Sequence, residues 1–221
     1  MKILINGATS GLGKSISKYY SNKEKLICVG KDKMKMRSLK KIIASNNNFF
    51  ARDLSKDKNL EQLKLTLKKI KHVDVVIHCM GGGFGIKDDL ISKKDFLELF
   101  NKNLFVQSEI NNFLIKKTIK NKKKLKIIHI SSIASIENVA SVGYSTVKAA
   151  LNVYSNILSK KFISHNIDIK NIILGAFETS DNSFARLKMK NIKAYKKFKN
   201  VRMPLKRYNS SDEIIPVIDF L

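Results

Sequence analysis

Short apolar runs alternate with helix-patterned stretches six times along this chain, and few folds accommodate that rhythm. The runs are KILIN (2–6), LICVG (26–30), NFF (48–50), VDVVIHC (73–79), LKIIHIS (125–131) and IDIKNIIL (167–174), several apolar enough for burial on both faces. Between them lie stretches of helical periodicity, including SLKKIIAS, LEQLKLTLKKI, the long KKDFLELFNKNLFVQSEINNFLIKKTI and STVKAALNVYSNILSKKFI. Strands buried on both sides and separated by helices predict a doubly wound, three-layer α/β/α fold with a mostly parallel sheet. In such sheets ligands bind beyond the carboxyl ends of the strands. Every motif of chemical interest lies at one of those ends.

The 221 residues suit one domain, 1–221, with a substantial core. Two prolines, no tryptophan and no Pro/Gly/Ser-rich stretch leave no sign of a linker. No apolar run reaches 18 residues, and MKILING meets a glycine too early for a signal segment, so the cytoplasm is the expected compartment and no membrane is expected. Cys28 and Cys79 fall inside strand-like runs without zinc spacing, which predicts reduced core thiols and no metal site. The formal charge of +25 raises nucleic acid as a partner. Against it, the lysines spread along the whole chain beside abundant isoleucine and asparagine, as codon bias would produce. Neither dense run, KKTIKNKKKLK at 116–126 nor the ten Lys/Arg between Arg186 and Arg207, carries regularly interleaved aromatics. No nucleic-acid partner is expected.

NGATSGLG, residues 6–13, follows the first strand and opens a helix. Gly7, Gly11 and Gly13 allow a tight turn, close approach of backbone to a pyrophosphate and helix-on-strand contact, with the helix N-terminus toward the phosphates. Farther along, GYSTVKAAL (143–151) places Tyr144 and Lys148 one helical turn apart on one face.

The two stretches together resemble the short-chain dehydrogenase/reductase family, whose cofactor turn is T-G-x-x-x-G-x-G and whose catalytic signature is Y-x-x-x-K. HISSIAS matches its strand-five serine segment, with Ser132 twelve residues before Tyr144. FNKNLF matches the helix asparagine segment at Asn103, RDLS the adenine-contacting aspartate at Asp53, and LGAFETS the P-G-x-x-x-T segment lining the nicotinamide, at Gly175 and Thr179. PLKRYNSSDEIIPVIDFL is similar to a late family segment, so the match runs from residue 2 to the last. The resemblance implies a Rossmann-like fold and hydride transfer between a nicotinamide cofactor and a carbonyl or alcohol substrate. It implies Tyr144, Lys148, Ser132 and Asn103 as catalytic residues. Cofactor contacts are implied for Gly7, Thr9, Ser10, Gly11, Leu12, Gly13, Lys31, Asp53, Leu54, Gly81, Gly175 and Thr179, with Tyr144 and Lys148 shared. The cofactor supplies the hydride, so the chain must supply the proton. Tyr144 is the expected donor. Lys148 would favour its ionised form and bind the nicotinamide ribose, Ser132 would hold the substrate oxygen, and Asn103 would act through a water toward Lys148. A homodimer or homotetramer is the implied assembly.

After strand two, the position where NAD-binding members carry an acid is Gly30, followed by Lys31, Asp32, Lys33, Lys35 and Arg37. Basic residues there favour NADP; Asp32 keeps NAD open. HCMG (78–81) stands in place of the family's N-N-A-G, with Gly81 retained, and His78 reads as a structural substitution more readily than as a proton relay. Leu174 stands where proline is usual, and the final strand of the family fold is expected to be absent. The expected lid, about 176–207, holds the second basic run with Phe184, Met189, Tyr195, Phe198 and Met203 interspersed, which suits a substrate with an acidic handle. A cofactor-binding sensor or assembly subunit without turnover is the alternative within the same fold.

Overall fold

The computed structural model describes residues 1–44, 46–137 and 139–221. Six strands form one parallel sheet in the order β3-β2-β1-β4-β5-β6. They are β1 (Lys2–Asn6), β2 (Lys25–Gly30), β3 (Asn48–Ala51), β4 (Val75–His78), β5 (Leu125–Ser132) and β6 (Ile167–Leu174). Each apolar run of the sequence becomes one strand, because a parallel strand covered on both faces can use an apolar residue at every position. The order reverses direction between β1 and β4, which opens a crevice at their carboxyl ends.

Successive strand residues point to opposite faces and build two cores. On one face, Leu4, Ile27, Val29, Val76 and Ile127 meet Leu60, Leu63 and Leu67 of α3 (Asp57–Lys69) and Ile110 and Leu114 of α5 (Val106–Lys120). On the other, Ile3, Ile5, Cys28, Ile77 and Ile128 meet α1 (Gly11–Tyr20), α2 (Lys33–Lys40) and α10 (Ile215–Phe220). Both faces are therefore covered by helices, and the three-layer architecture follows. Cys28 and Cys79 are free thiols, Cys28 fully buried. Among the described residues no strand pairs beyond β6, and none of the helices is long and apolar enough to cross a membrane.

The long helix expected after residue 92 is not continuous. It consists of α4 (Lys93–Phe100), a π-turn (Asn101–Phe105) and α5. The widening has a cause: Asn103 turns its amide inward to donate to the Leu99 carbonyl at 2.9 Å and to grip the backbone of Gly82. Such insertions commonly mark functional positions. Beyond β5 come α6 (Ala134–Glu137) and the 21-residue α7 (Val142–Phe162). After β6, strands β7 (Phe177–Glu178) and β8 (Asn209–Ser210) pair with each other around α8 (Ser183–Lys190) and α9 (Ile192–Arg202).

Candidate active site

The turn after β1 is closed by contacts that exclude side chains. Gly7 has φ +91°, and the N–H groups of Gly7 and Ala8 both donate to the Val29 carbonyl at 2.9 Å. A Cβ on Gly7 would lie 2.7 Å from the Met80 nitrogen, and one on Gly13 would lie 2.2 Å from the Gly7 carbonyl oxygen. Helix α1 thus starts directly against the strand ends, with its first amides facing the crevice. Ser10 holds the N-cap position without a side-chain cap bond, while Leu12 is buried in the core. Gly11, at φ +51°, donates its N–H to Asp181 Oδ1 at 2.9 Å, and Asp181 Oδ2 pairs with Lys35 Nζ at 3.0 Å. Burial opposes ionisation of Asp181, but the bonds from Lys35 and the Gly11 amide outweigh it and hold the carboxyl below its usual range. Beside it, the buried Thr179 hydroxyl has no hydrogen-bond partner and faces Gly11. A carboxylate on the helix start and an idle hydroxyl next to it are what a bound phosphate would replace and use, so these residues fit a dinucleotide cofactor.

Beyond the end of β2, Lys31 is exposed, and Asp32 accepts from the Met34 and Lys35 amides at 2.8 and 3.0 Å as the N-cap of α2. That carboxylate, which the sequence left available for ribose, caps the helix through Oδ1. Gly30 has no room for an acid, because a Cβ there would lie 2.7 Å from the buried Thr9 side chain. Asp53 stands at the end of β3, with Oδ1 held by the Ser55 amide and hydroxyl. Burial pushes its pKa up, but the Ser55 bonds and the nearby Lys31 and Lys102 charges bring the net shift down. Leu54 is buried in the core behind it.

The centre of the crevice lies where β5 ends and α7 begins. Ser132 is the last residue of β5, and its Oγ accepts from the Ala134 amide at 3.2 Å, which leaves the hydroxyl proton to donate. The neighbouring Ser131 is spent inward on Asn152. Tyr144 sits in the first turn of α7, half-buried, and Gly83 lies beside it, where an added Cβ would meet the Tyr144 Cβ at 3.8 Å. One turn on, Lys148 is only 3% exposed; its Nζ donates to the Ile130 carbonyl at 2.9 Å and lies 5.8 Å from the Tyr144 ring centroid. Gly81 completes the wall: a Cβ there would meet Asn103 Oδ1 at 2.7 Å and Lys148 Nζ at 3.2 Å. Gly175 meets no such constraint.

Burial dominates the electrostatics. It raises the Tyr144 phenol above its usual value, with the Ser132 hydroxyl opposing, so Tyr144 is protonated at neutral pH. The expectation was that Lys148 would favour the ionised form; burial outweighs the opposing Ser132 bond and keeps the phenol neutral. Burial also lowers Lys148 to about 8. The folded chain therefore releases this proton before the unfolded chain, whose lysine titrates near 10.5. Below pH 8 the destabilisation is complete, and it is relieved as pH rises from 8 toward 10.5. Replacing Lys148 by Met should remove that rise, on the order of 3 kcal/mol, from the difference between the two stability–pH curves. Urea melts of both proteins across that range measure it.

The sequence reading placed Asn103 as a relay through water. In the structure its side chain is fully engaged: Oδ1 accepts from the Gly82 amide at 2.8 Å, and Nδ2 donates to the Gly82 and Leu99 carbonyls. Its own carbonyl accepts from Gln107 at 2.8 Å. The reading missed Asp181 and a set of buried polar residues behind the site: Gln107, Asn111 and His129. Their signal was present as amides on the otherwise apolar face of α5 and a histidine within an apolar strand. The aromatics of the expected lid have a packing role. Phe184, Tyr195 and Phe198 pack with Tyr208 and Met203 in a small core of their own, leaving Met189 at 85% exposure and the lysines outside.

The sequence matches the family described as short chain dehydrogenase over residues 1–190. It is 26% identical to a 3-oxoacyl-[acyl-carrier-protein] reductase of Aquifex aeolicus over 99% of this chain and 88% of that protein. It is 24% identical to a diacetyl reductase [(S)-acetoin forming] of Staphylococcus epidermidis over 99% and 90%. Among solved structures, the fold superposes on an actinorhodin polyketide ketoreductase with NADPH (TM-score 0.88, 18% identity, 100% of this chain and 89% of the other). It also superposes on the L-sorbose reductase of Gluconobacter frateurii complexed with NADPH and L-sorbose (TM-score 0.85, 20% identity, 100% and 88%). With the glycine turn, the parallel sheet and a family match over most of its length, the chain belongs to the short-chain dehydrogenase family of oxidoreductases.

Proposed function

We propose that this protein is an NADP(H)-dependent oxidoreductase that interconverts a carbonyl and an alcohol, with Tyr144, Lys148, Ser132 and Asn103 forming its centre. The observation that carries this reading is the buried Lys148 ammonium one turn from a protonated phenol, at the end of β5 and beside a turn that already holds an anion. When bound, the nicotinamide supplies or accepts the hydride. Ser132 donates its free hydroxyl proton to the substrate oxygen and orients the carbonyl. Tyr144, neutral at working pH, gives its proton to that oxygen as negative charge develops there. Lys148 then faces a phenolate in a poorly hydrated pocket, where its charge stabilises the ion more than it would in water. Asn103 acts by holding Gly82, and with it the loop against which Lys148 rests. Gly7, Thr9, Ser10, Gly11, Leu12 and Gly13, with Thr179, would hold the pyrophosphate, Gly81 and Gly175 would border the nicotinamide, and Asp53 and Leu54 would take the adenine.

Preference for NADP(H) rests on Lys31 and Lys35 at the adenosine end, on the role of Asp32 as the N-cap of α2, and on the lack of room at Gly30. The ketoreductase and the sorbose reductase solved with NADPH are consistent with it. Titration of both reduced cofactors should give tighter binding of NADPH, and Lys31→Asp should move the ratio toward NADH. Tighter binding of NADH by the unaltered protein would overturn the preference.

The stretch 176–207 acts as a substrate lid, and its unpaired lysines favour a substrate with an acidic handle, of which the acyl carrier of the Aquifex aeolicus relative is one kind. Replacing Lys196, Lys197 and Lys199 with Gln should raise KM for such a substrate several-fold at low salt and leave KM for a small neutral carbonyl in place. An unchanged KM for the acidic substrate would reduce the lid charge to composition. Val153 and Ile157 of α7 and Phe105 of the π-turn, 59%, 48% and 44% exposed, are suited to cover by a second copy in a homo-oligomer.

A further inference from the structure

Directly behind the site, five polar side chains are almost completely buried: Asn6 at 1% exposure and His78, Gln107, Asn111 and His129 at 0%. Polar groups survive such burial when their donors and acceptors are matched, and here the matching fixes the role of every atom. Gln107 Nε2 lies 2.9 Å from the Met80 carbonyl and 2.8 Å from the Asn103 carbonyl. Two carbonyls can only accept, so the amide nitrogen must face them and Oε1 must face His129 Nδ1, 2.8 Å away. His129 therefore carries its proton on Nδ1. Its Nε2 accepts from Asn111 Nδ2 at 3.1 Å, and the second Asn111 proton goes to the Tyr154 hydroxyl oxygen at 3.2 Å. Asn111 Oδ1 is left to accept from His78 Nε2 at 2.9 Å, which gives His78 the opposite tautomer and turns its Nδ1 toward Asn6 Nδ2 at 3.4 Å. The two imidazoles stack with centroids 4.9 Å apart.

Every bond in this chain runs from Asn6 toward the carbonyls of Met80 and Asn103. Those carbonyls belong to the two backbone segments that wall Lys148: the stretch leading into Gly81 and Gly82, and the π-turn whose Asn103 side chain clamps Gly82. Beside that clamp, Gln107 ties both segments together through their carbonyls, and His129 is what orients Gln107. We propose that Gln107 and His129 are a positioning pair for the Tyr144–Lys148 centre, with the Nδ1–H tautomer of His129 holding the Gln107 amide across the Met80 and Asn103 carbonyls. The inference rests on the catalytic reading of that centre. Burial keeps both imidazoles neutral, His78 down to about 4 and His129 with its value lowered by burial, by His78 and by Lys148. The other titratable groups around the pair, Tyr154 and Glu109 on the far side and Cys79 near Lys148, leave no carboxylate against either ring to favour an imidazolium.

Two measurements test this, one of which does not require turnover. Histidine-labelled protein observed by 15N NMR should show His129 as the Nδ1–H tautomer and His78 as the Nε2–H tautomer; an Nε2–H tautomer at His129 would overturn the assignment. In kinetics, His129→Phe and Gln107→Leu should each lower kcat by about 10- to 100-fold, as small displacements of a centre do, with KM for NADPH little changed. The double variant should lose no more than either single one, because the two act through one link. His129→Asn, which keeps an N–H near the Nδ1 position, should recover most of the kcat. Additive losses, or a His129→Asn variant as slow as His129→Phe at equal Tm, would reduce the pair to core packing. Should the unaltered protein turn over no carbonyl, the Lys148 titration followed by lysine-Nζ NMR decides instead. Gln107→Leu should move it toward the ordinary lysine value while Tyr144→Phe leaves the histidine tautomers in place, and an unmoved Lys148 would overturn the pair.

Discussion

Tyr144→Phe should lower kcat by roughly 10²- to 10⁴-fold, the range for loss of a positioned general acid, while NADPH affinity and Tm stay near those of the unaltered protein. The separation follows from where the hydroxyl sits. The phenol oxygen is not needed to build the fold: the ring keeps its place in the first turn of α7 beside Gly83, and the core of α7 is supplied by Val147 and Leu151. Burial holds the phenol protonated, the Ser132 hydroxyl opposes that rise, and the Lys148 ammonium lies 5.8 Å from the ring centroid. Removing the oxygen takes away the proton and the Ser132 contact, neither of which builds the core of α7. A variant that lost cofactor binding in parallel with turnover would show that Tyr144 supports the site rather than serving as its acid.

The second large effect belongs to Gly13. Its Cα faces the Gly7 carbonyl so closely that a methyl group would lie 2.2 Å from that oxygen, a contact with backbone that no rotamer change relieves. Gly13→Ala must push α1 away from the strand ends, and overpacking of this kind costs up to about 3 kcal/mol, occasionally more. For a chain of this size that is a drop in Tm of about 6 to 12 °C. NADPH affinity should fall with it by tenfold or more, because the first amides of α1 leave the position where Gly11 now holds Asp181. Thermal melts and a cofactor titration measure both. Gly175→Ala is the control: a Cβ there meets nothing within 4 Å, so stability should hardly move.

The six strands were legible because the inner ones, β1, β2 and β4, are buried nearly throughout and read as apolar runs, while β6 keeps enough isoleucine around Asp168, Lys170 and Asn171 to show beside them. The glycine turn, Ser132 and the Tyr144–Lys148 pair were legible for a different reason: their spacing along the chain is itself the geometry, a helix start or one helical turn. What escaped depends on contacts between distant elements. Asp181 reaches Gly11 across 170 residues, and nothing in either local sequence announces the pairing. The π-turn at Asn101–Phe105 arises because Asn103 is drawn to Gly82 on another segment, which a helical periodicity cannot register. His129 and Gln107 meet only once β5 and α5 pack in a particular register. The packing of Phe184, Tyr195 and Phe198 was not legible because their partner Tyr208 lies just beyond the basic run that contains them.

The most direct test of the central claim is cofactor turnover by the purified protein. NADPH is incubated with a panel of ketones, aldehydes and 3-oxoacyl thioesters, and loss of NADPH absorbance is followed together with the alcohol formed. The expected result is consumption of NADPH matched mole for mole by alcohol for at least one class of carbonyl, abolished to background in Tyr144→Phe. Saturable binding of NADPH with no carbonyl reduced, and no alcohol oxidised when NADP⁺ is supplied, would contradict the claim and leave a cofactor-binding protein without turnover.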